Sequence, residues 1–147
     1  MLLQFSRGCP FDCEFCDITT LYGRVPRTKT PEHMLAEFDL LYDLGWRGVL
    51  FLVDDNFIGN RREALRLLRA LIPWQRARHY PFNLCTEASM NLVEHDELME
   101  AMIQAGFTSV FVGIETPTPA ALLATKKPQN VRKTDPEYPL HAIHTLQ

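Results

Sequence analysis

The sequence has no long apolar run, no dominant sign of charge, no internal repeat and no spread-out set of cysteines. In its 147 residues the longest aliphatic or aromatic run is Val49-Leu50-Phe51-Leu52-Val53. A bilayer-spanning helix needs about 20 such residues, so no transmembrane helix is expected. Met1 to Phe5 lacks the charged start and long apolar stretch of a signal peptide. Lysine and arginine number 15 against 18 aspartates and glutamates, a net charge of −3. That balance gives no electrostatic footprint for nucleic acid. No segment repeats another, which excludes a solenoid. His33, His79, His95, His141 and His144 show no metal-ligand spacing with the cysteines. Of the four cysteines, Cys9, Cys13 and Cys16 crowd together and Cys85 stands alone. A disulfide scaffold would spread them to close loops. The expectation is therefore a reducing compartment, the cytoplasm, and a metal site.

What is present is globular composition, 46% apolar and 22% charged, enough for one domain with its own core. Leu2 to Phe5 reads as a short buried strand. A long loop follows from Arg7 to about Thr30. Thr30 is the expected N-cap of a helix with Pro31 at its first position and Met34, Leu35, Phe38, Leu41 and Tyr42 at helical spacing, stopped by Gly45. Val49 to Val53 is the second strand, its unbroken apolar run suiting a strand covered on both faces. Asn60 and Glu63 form a capping-box-like pair ahead of Leu65, Leu68, Leu71 and Ile72. Phe82 to Thr86 is a third strand, Glu94 to Ala105 a helix, and Ser109 to Val112 a fourth strand. Thr116 to Gln147 is rich in proline and lysine, with short helices expected around Ala120 to Ala124 and Leu140 to Leu146 and no fifth strand.

The order β, loop, α, β, α, β, α, β implies parallel strands joined by helical crossovers, spaced at roughly 30 residues or more. In such folds the strands' carboxyl ends form the ligand-binding face. Cys9, Asp54, Asp55, Glu87 and Glu115 all follow strands.

The cysteines stand as Cys-x3-Cys-x2-Cys in Gly8-Cys9-Pro10-Phe11-Asp12-Cys13-Glu14-Phe15-Cys16. Three thiolates are one short of the set that completes an ordinary iron–sulfur cluster or closed zinc site. A zinc site would need His33 or Cys85 as its fourth ligand. The spacing, with Phe15 before the third cysteine and the loop following the first strand, resembles the radical S-adenosylmethionine (SAM) superfamily. Further stretches narrow the resemblance to the members that carry an N-terminal cobalamin-binding domain, the hopanoid C-methylase-like group. These are Gln4 to Ile18, Gly23-Arg24-Val25-Pro26-Arg27-Thr28-Lys29-Thr30-Pro31, Phe51-Leu52-Val53-Asp54-Asp55-Asn56-Phe57 and Gly113-Ile114-Glu115-Thr116-Pro117.

The resemblance implies an α/β fold, a partial (β/α)6 barrel of which about four βα units are present. It implies that Cys9, Cys13 and Cys16 hold three irons of a 4Fe-4S cluster, with SAM on the fourth. Reductive cleavage of SAM then gives a 5′-deoxyadenosyl radical that abstracts hydrogen from substrate, in some members within a cobalamin-dependent C-methylation. It implies SAM contacts from Asp54 or Asp55, polar contacts from Glu87 and Glu115, and packing of Phe15 near adenine. No residue receives a catalytic role. The expected partners are a small-molecule or lipid-like substrate, an electron donor such as flavodoxin or ferredoxin, and a separately encoded cobalamin-binding domain. The chain is expected to be one truncated radical SAM core over 1–147, with its cluster loop at 7–30, an ill-defined end at 117–147, and strands five and six missing.

Plainer readings stand beside these. Asp54-Asp55-Asn56 reads as a turn, Glu87 and Glu115 as helix caps, Arg24, Arg27 and Lys29 as a solvated loop, and Cys85 as a small buried strand residue. The alternative for the whole chain is a non-catalytic zinc or iron–sulfur interaction fragment unable to hold SAM.

Overall fold

A computed structural model describes all of residues 1–147. In chain order the elements are β1 (Leu2–Leu3), β2 (Ser6–Arg7), α1 (Ile18–Tyr22), β3 (Arg27–Thr28), α2 (Pro31–Asp43), β4 (Gly48–Leu52), α3 (Arg61–Ala77), β5 (Phe82–Glu87), α4 (Asp96–Gln104), β6 (Phe107–Phe111), α5 (Pro119–Ala124) and α6 (Tyr138–Leu146). Short 3-10 turns precede α3 and α4, and another, Pro128–Asn130, follows α5.

Local chemistry starts the helices where the sequence indicates. Thr30 is the N-cap of α2, its hydroxyl accepting from the His33 amide, with Pro31 in the first turn. Asn60 caps α3 by accepting from the Glu63 amide at 3.3 Å. Each bond satisfies an amide that the helix itself leaves unpaired.

Four strands form one parallel sheet in the order β1-β4-β5-β6. Leu2 pairs with Phe51, Leu50 with Leu84, and Thr86 with Val110. The order follows the chain without reversal, so every crossover runs the same way and α2, α3 and α4 line one face. This is the arrangement of an opened barrel rather than of a doubly wound sheet. Leu84 opposes Phe107 but Cys85 opposes Ser109, a bulge that leaves Thr108 extra on β6.

Alternation along the strands sorts the two faces. Leu50, Leu52, Phe82, Leu84, Thr86 and Phe107 are buried under the helices. There they meet Met34, Phe38, Leu67, Leu68, Leu71, Leu98 and Met102. Phe38 sits edge-on to both Trp74 and Phe82. The opposite face carries Val49, Asn83, Ser109 and Phe111, all exposed. The covering of β4 on both faces is therefore corrected: helices cover one face, and the other is the concave side that a barrel turns inward. Cys85 lies on that side and is half-buried rather than interior.

Two further corrections concern loops. The stretch from Arg7 to Thr30 is closed by β2 and β3, which pair antiparallel, Ser6 with Thr28 and Arg7 with Arg27. The end of the chain is ordered by contacts. Tyr138 and Ala142 of α6 pack on Met90, the Tyr138 hydroxyl donates to Glu94, and Arg132 pairs with Glu94.

Replacing Phe38 by alanine removes the ring that joins α2, α3 and β5. The expected loss is about 3–5 kcal/mol of unfolding free energy, read as a lower urea midpoint at unchanged slope.

Candidate functional site

Each strand's carboxyl end delivers polar groups to one rim. From β1 and β2 come Gly8 and Cys9, from β4 Asp54, Asp55 and Asn56, from β5 Glu87 and Ser89, and from β6 Gly113 and Glu115.

Asp54 and Asp55 fix where the cysteine loop begins. The Asp54 carboxylate is wholly buried and accepts from the Phe5 amide at 3.2 Å and from the Ser6 amide. Asp55 accepts from the Gly8 amide at 2.9 Å. Successive side chains point to opposite sides of an extended segment, so one aspartate faces the core and its neighbour the rim. Asp54, expected among the SAM-contacting residues, is corrected to a fastening between β1 and β4, because its carboxylate has no free surface. Burial pushes its carboxyl above the ordinary range, outweighing the N–H donors that favour its charge. Gly8 holds φ at +100°, and a Cβ there would stand 2.9 Å from the Gly23 carbonyl oxygen, so only glycine fits this turn.

Beyond Gly8 lie the three cysteines, all free thiols and all partly exposed. No three His, Cys, Asp or Glu side chains are grouped closely enough to share one metal ion. A closed zinc site needs that convergence, whereas a cubane cluster takes each thiolate on a different iron. The loop is held from several sides. The Cys9 amide donates to the Gly23 carbonyl, and the Arg24 guanidinium donates to the Pro10 carbonyl at 3.1 Å. Arg24 thus fastens the loop rather than only solvating it. Burial raises the Cys9 thiol pKa, against donors from Phe11 and Asn56 that lower it.

The last part of the chain folds back over this loop. The Glu14 amide donates to the Thr125 carbonyl at 2.9 Å. Lys127, nearly buried, pairs with Glu115 at 2.5 Å and lies 5.6 Å from the centre of the Phe15 ring. Glu115 adopts φ of +65° to reach it. A Cβ on Gly113 would stand 2.7 Å from the Lys127 Nζ, so glycine clears room for the pair. Asn130 donates to the Gly113 carbonyl at 2.8 Å. Phe15 remains 56% exposed. Glu87, on the open face, has its carboxyl raised by burial first and by the Asp55 charge second.

The structure thus brings Cys9, Cys13, Cys16, Phe15, Asp55, Glu87 and Glu115 to one rim and withdraws Asp54. Sequence reasoning missed Lys127, Gln129 and Asn130. They lie in a proline- and lysine-rich stretch with no periodicity, and only their polar crowding after the fourth strand could have signalled them.

Sequentially ordered parallel strands with a three-cysteine loop at one rim are the arrangement of a barrel-type α/β fold whose polar loops gather at the strands' carboxyl ends. The chain belongs to the radical SAM superfamily, whose family model matches residues 3–147. Among curated relatives it is 56% identical over 134 residues to an uncharacterized methyltransferase of Synechocystis sp., covering 91% of this chain and 25% of that protein. It is 50% identical over 129 residues to the hopanoid C-2 methylase of Rhodopseudomonas palustris, covering 88% and 24%. The chain therefore spans about a quarter of the length of these relatives. Among solved structures, the radical S-adenosylmethionine methyltransferase TsrM from Kitasatospora setae, with cobalamin and a 4Fe-4S cluster bound, matches at TM-score 0.73 and 20% identity, over 82% of this chain and 22% of that one. The cobalamin-dependent S-adenosylmethionine radical enzyme OxsB matches at TM-score 0.65 and 18% identity, over 99% and 22%. These two likenesses are likenesses of fold.

Asp54 supplies a pH test. Its native pKa lies above the unfolded value, so the native state binds more protons between the two. Its contribution to stability is therefore greatest below the ordinary carboxyl pKa. It falls as pH rises through the raised value and stays constant above. In denaturant titrations, wild type is expected to lose stability relative to Asp54→Asn as pH rises across that window. A pH-independent difference contradicts the assignment.

Proposed function

We propose that this chain is the cluster- and SAM-binding core of a radical SAM enzyme, with Cys9, Cys13 and Cys16 holding a 4Fe-4S cluster. The observation that carries the reading is the cysteine loop itself: three free, partly exposed thiols, anchored by Asp54 and Asp55 at the strand ends and met by side-chain amides. Three protein ligands leave a fourth iron open, which suits a cofactor that binds through its own amino and carboxylate groups.

The chain's own residues divide the remaining work. Asp55 and Glu87 stand on the open rim, where their carboxylates suit the amine or hydroxyls of SAM. Phe15 offers an exposed ring to stack on adenine. Glu115, neutralised by Lys127, positions the chain after β6 and can accept a hydrogen bond through its second oxygen. A reduced cluster, when bound, supplies the electron that cleaves SAM.

The curated relatives support C-methylation as the class of reaction for the whole protein, with a small-molecule or lipid-like substrate. The motif resemblance to members with an N-terminal cobalamin-binding domain favours cobalamin as methyl carrier, on a domain outside these residues. A flavodoxin- or ferredoxin-type protein is the fitting electron donor, and free thiols suit the reducing cytoplasm. No helix is long and apolar enough to cross a membrane.

Anaerobic reconstitution is expected to load about four irons per chain with charge-transfer absorption, and SAM is expected to alter the EPR spectrum of the reduced cluster. Cys13→Ala is expected to abolish both. Stoichiometric zinc without iron uptake overturns the proposal, and a cluster indifferent to SAM favours a non-catalytic fragment.

A further inference from the structure

Two of the three cysteine sulfurs face side-chain amides from distant parts of the chain. Asn56 Nδ2 stands 3.8 Å from Cys9 Sγ, and Gln129 Nε2 stands 3.3 Å from Cys13 Sγ. No side chain donates to Cys16. The Asn56 amide is oriented by its other end, because its Oδ1 accepts from the Ser89 backbone amide at 3.2 Å. An oxygen that accepts there leaves only the NH2 group to face the thiol.

Gln129 is the sharper case. It is buried in the turn Pro128–Asn130, 7% exposed, on the segment that folds back over the loop. Its Oε1 is buried without a partner. A glutamine kept for packing alone would be poorly placed, since an unpaired buried acceptor is costly and an apolar side chain would avoid it. The one bond its side chain makes is to sulfur. A sulfur that carries thiolate charge is a far better acceptor than a neutral thiol, so the contact gains its full strength only when Cys13 is a metal ligand.

We propose that Gln129 is a positioning residue that sets the reduction potential of the cluster by donating an N–H to the Cys13 thiolate, with Asn56 doing the same more weakly at Cys9. The inference rests on the cluster reading above. Adding an electron raises the negative charge on the thiolates, and a donor aimed at sulfur stabilises that charge. Hydrogen bonds to cluster sulfurs therefore raise the potential. The placement also makes the potential depend on the closing of the chain's end over the loop, because Gln129 arrives there only with Thr125 on Glu14 and Lys127 on Glu115.

The test is an EPR-monitored redox titration of the anaerobically reconstituted chain without SAM, wild type against Gln129→Met, which keeps the length and removes the donor. The variant's midpoint is expected to be more negative. At the wild-type midpoint its reduced-to-oxidised ratio should fall about threefold to tenfold, about 28–59 mV for one electron. A second measurement needs no variant: the reduced wild-type cluster, made with 15N in its glutamine side chains, is expected to show a 15N hyperfine coupling. An unchanged midpoint in a loaded Gln129→Met overturns this inference alone. If that variant takes up no cluster, the coupling decides, and its absence overturns the inference. A wild-type chain that binds no iron overturns the cluster reading and this inference with it.

Discussion

The structure depends on two adjacent carboxylates at the end of β4. Asp54 and Asp55 accept the amides of Phe5, Ser6 and Gly8, the backbone that leads into Cys9. Phe5 and Ser6 follow β1 where its ladder stops, Gly8 follows β2, and these amides would otherwise lack partners. A buried carboxylate is expensive, and here two N–H donors recover only part of the cost, which leaves the carboxyl raised. In return, the first cysteine is placed relative to the rigid centre of the sheet rather than by a flexible loop. The register of β1 on β4, Leu2 against Phe51 and Leu3 against Leu52, would alone leave the next turn free to slide.

The cysteine loop is then held at its far side by the end of the chain. Glu14 bonds Thr125, Lys127 lies between Glu115 and Phe15, and Asn130 bonds Gly113. Together these contacts join the rim of β6 to the loop after β1, the two ends of an open sheet. α6 in turn anchors on the turn after β5 through Met90, Tyr138 and Ala142. The rim is thus a ring of contacts even though the sheet beneath it is open.

Much of this was legible in residues whose signals are local. Thr30 and Pro31, Asn60 and Glu63, and the apolar spacing of Met34 and Phe38 or Leu68 and Leu71 name their helices because caps and periodicity act within one or two turns. The four strands and their parallel order followed from the alternation of elements. The short pairing of β2 with β3 did not, since a two-residue ladder has no period to read. Nor did Gln129 and Lys127, whose roles arise only when distant segments meet. Asp54 and Asp55 show the limit well. Their neighbourhood to the site was readable from their place after a strand, but which one turns inward depends on the phase of the pleat. The run Val49 to Val53 misled for a related reason: an apolar side chain facing the inside of a barrel looks in sequence like one facing a helix.

That ambiguity explains where the chemistry sits. A doubly wound sheet reverses its strand order and opens a crevice between its halves, and ligands enter there. Here the order β1-β4-β5-β6 never reverses, so no such crevice exists. A ligand must be met above the strand ends, by loops, over a concave face that carries Val49, Asn83, Ser109 and Phe111. The helix-covered face can be optimised for packing, and Phe38, Leu50, Leu67 and Leu84 show that it is. The concave face is not packed in the same way, and its side chains stand exposed. Stability and chemistry are thereby assigned to opposite faces of the same strands. The loop that carries the three thiols is tied to both sides of that division, Asp54 belonging to the packed interior and Asp55 to the rim.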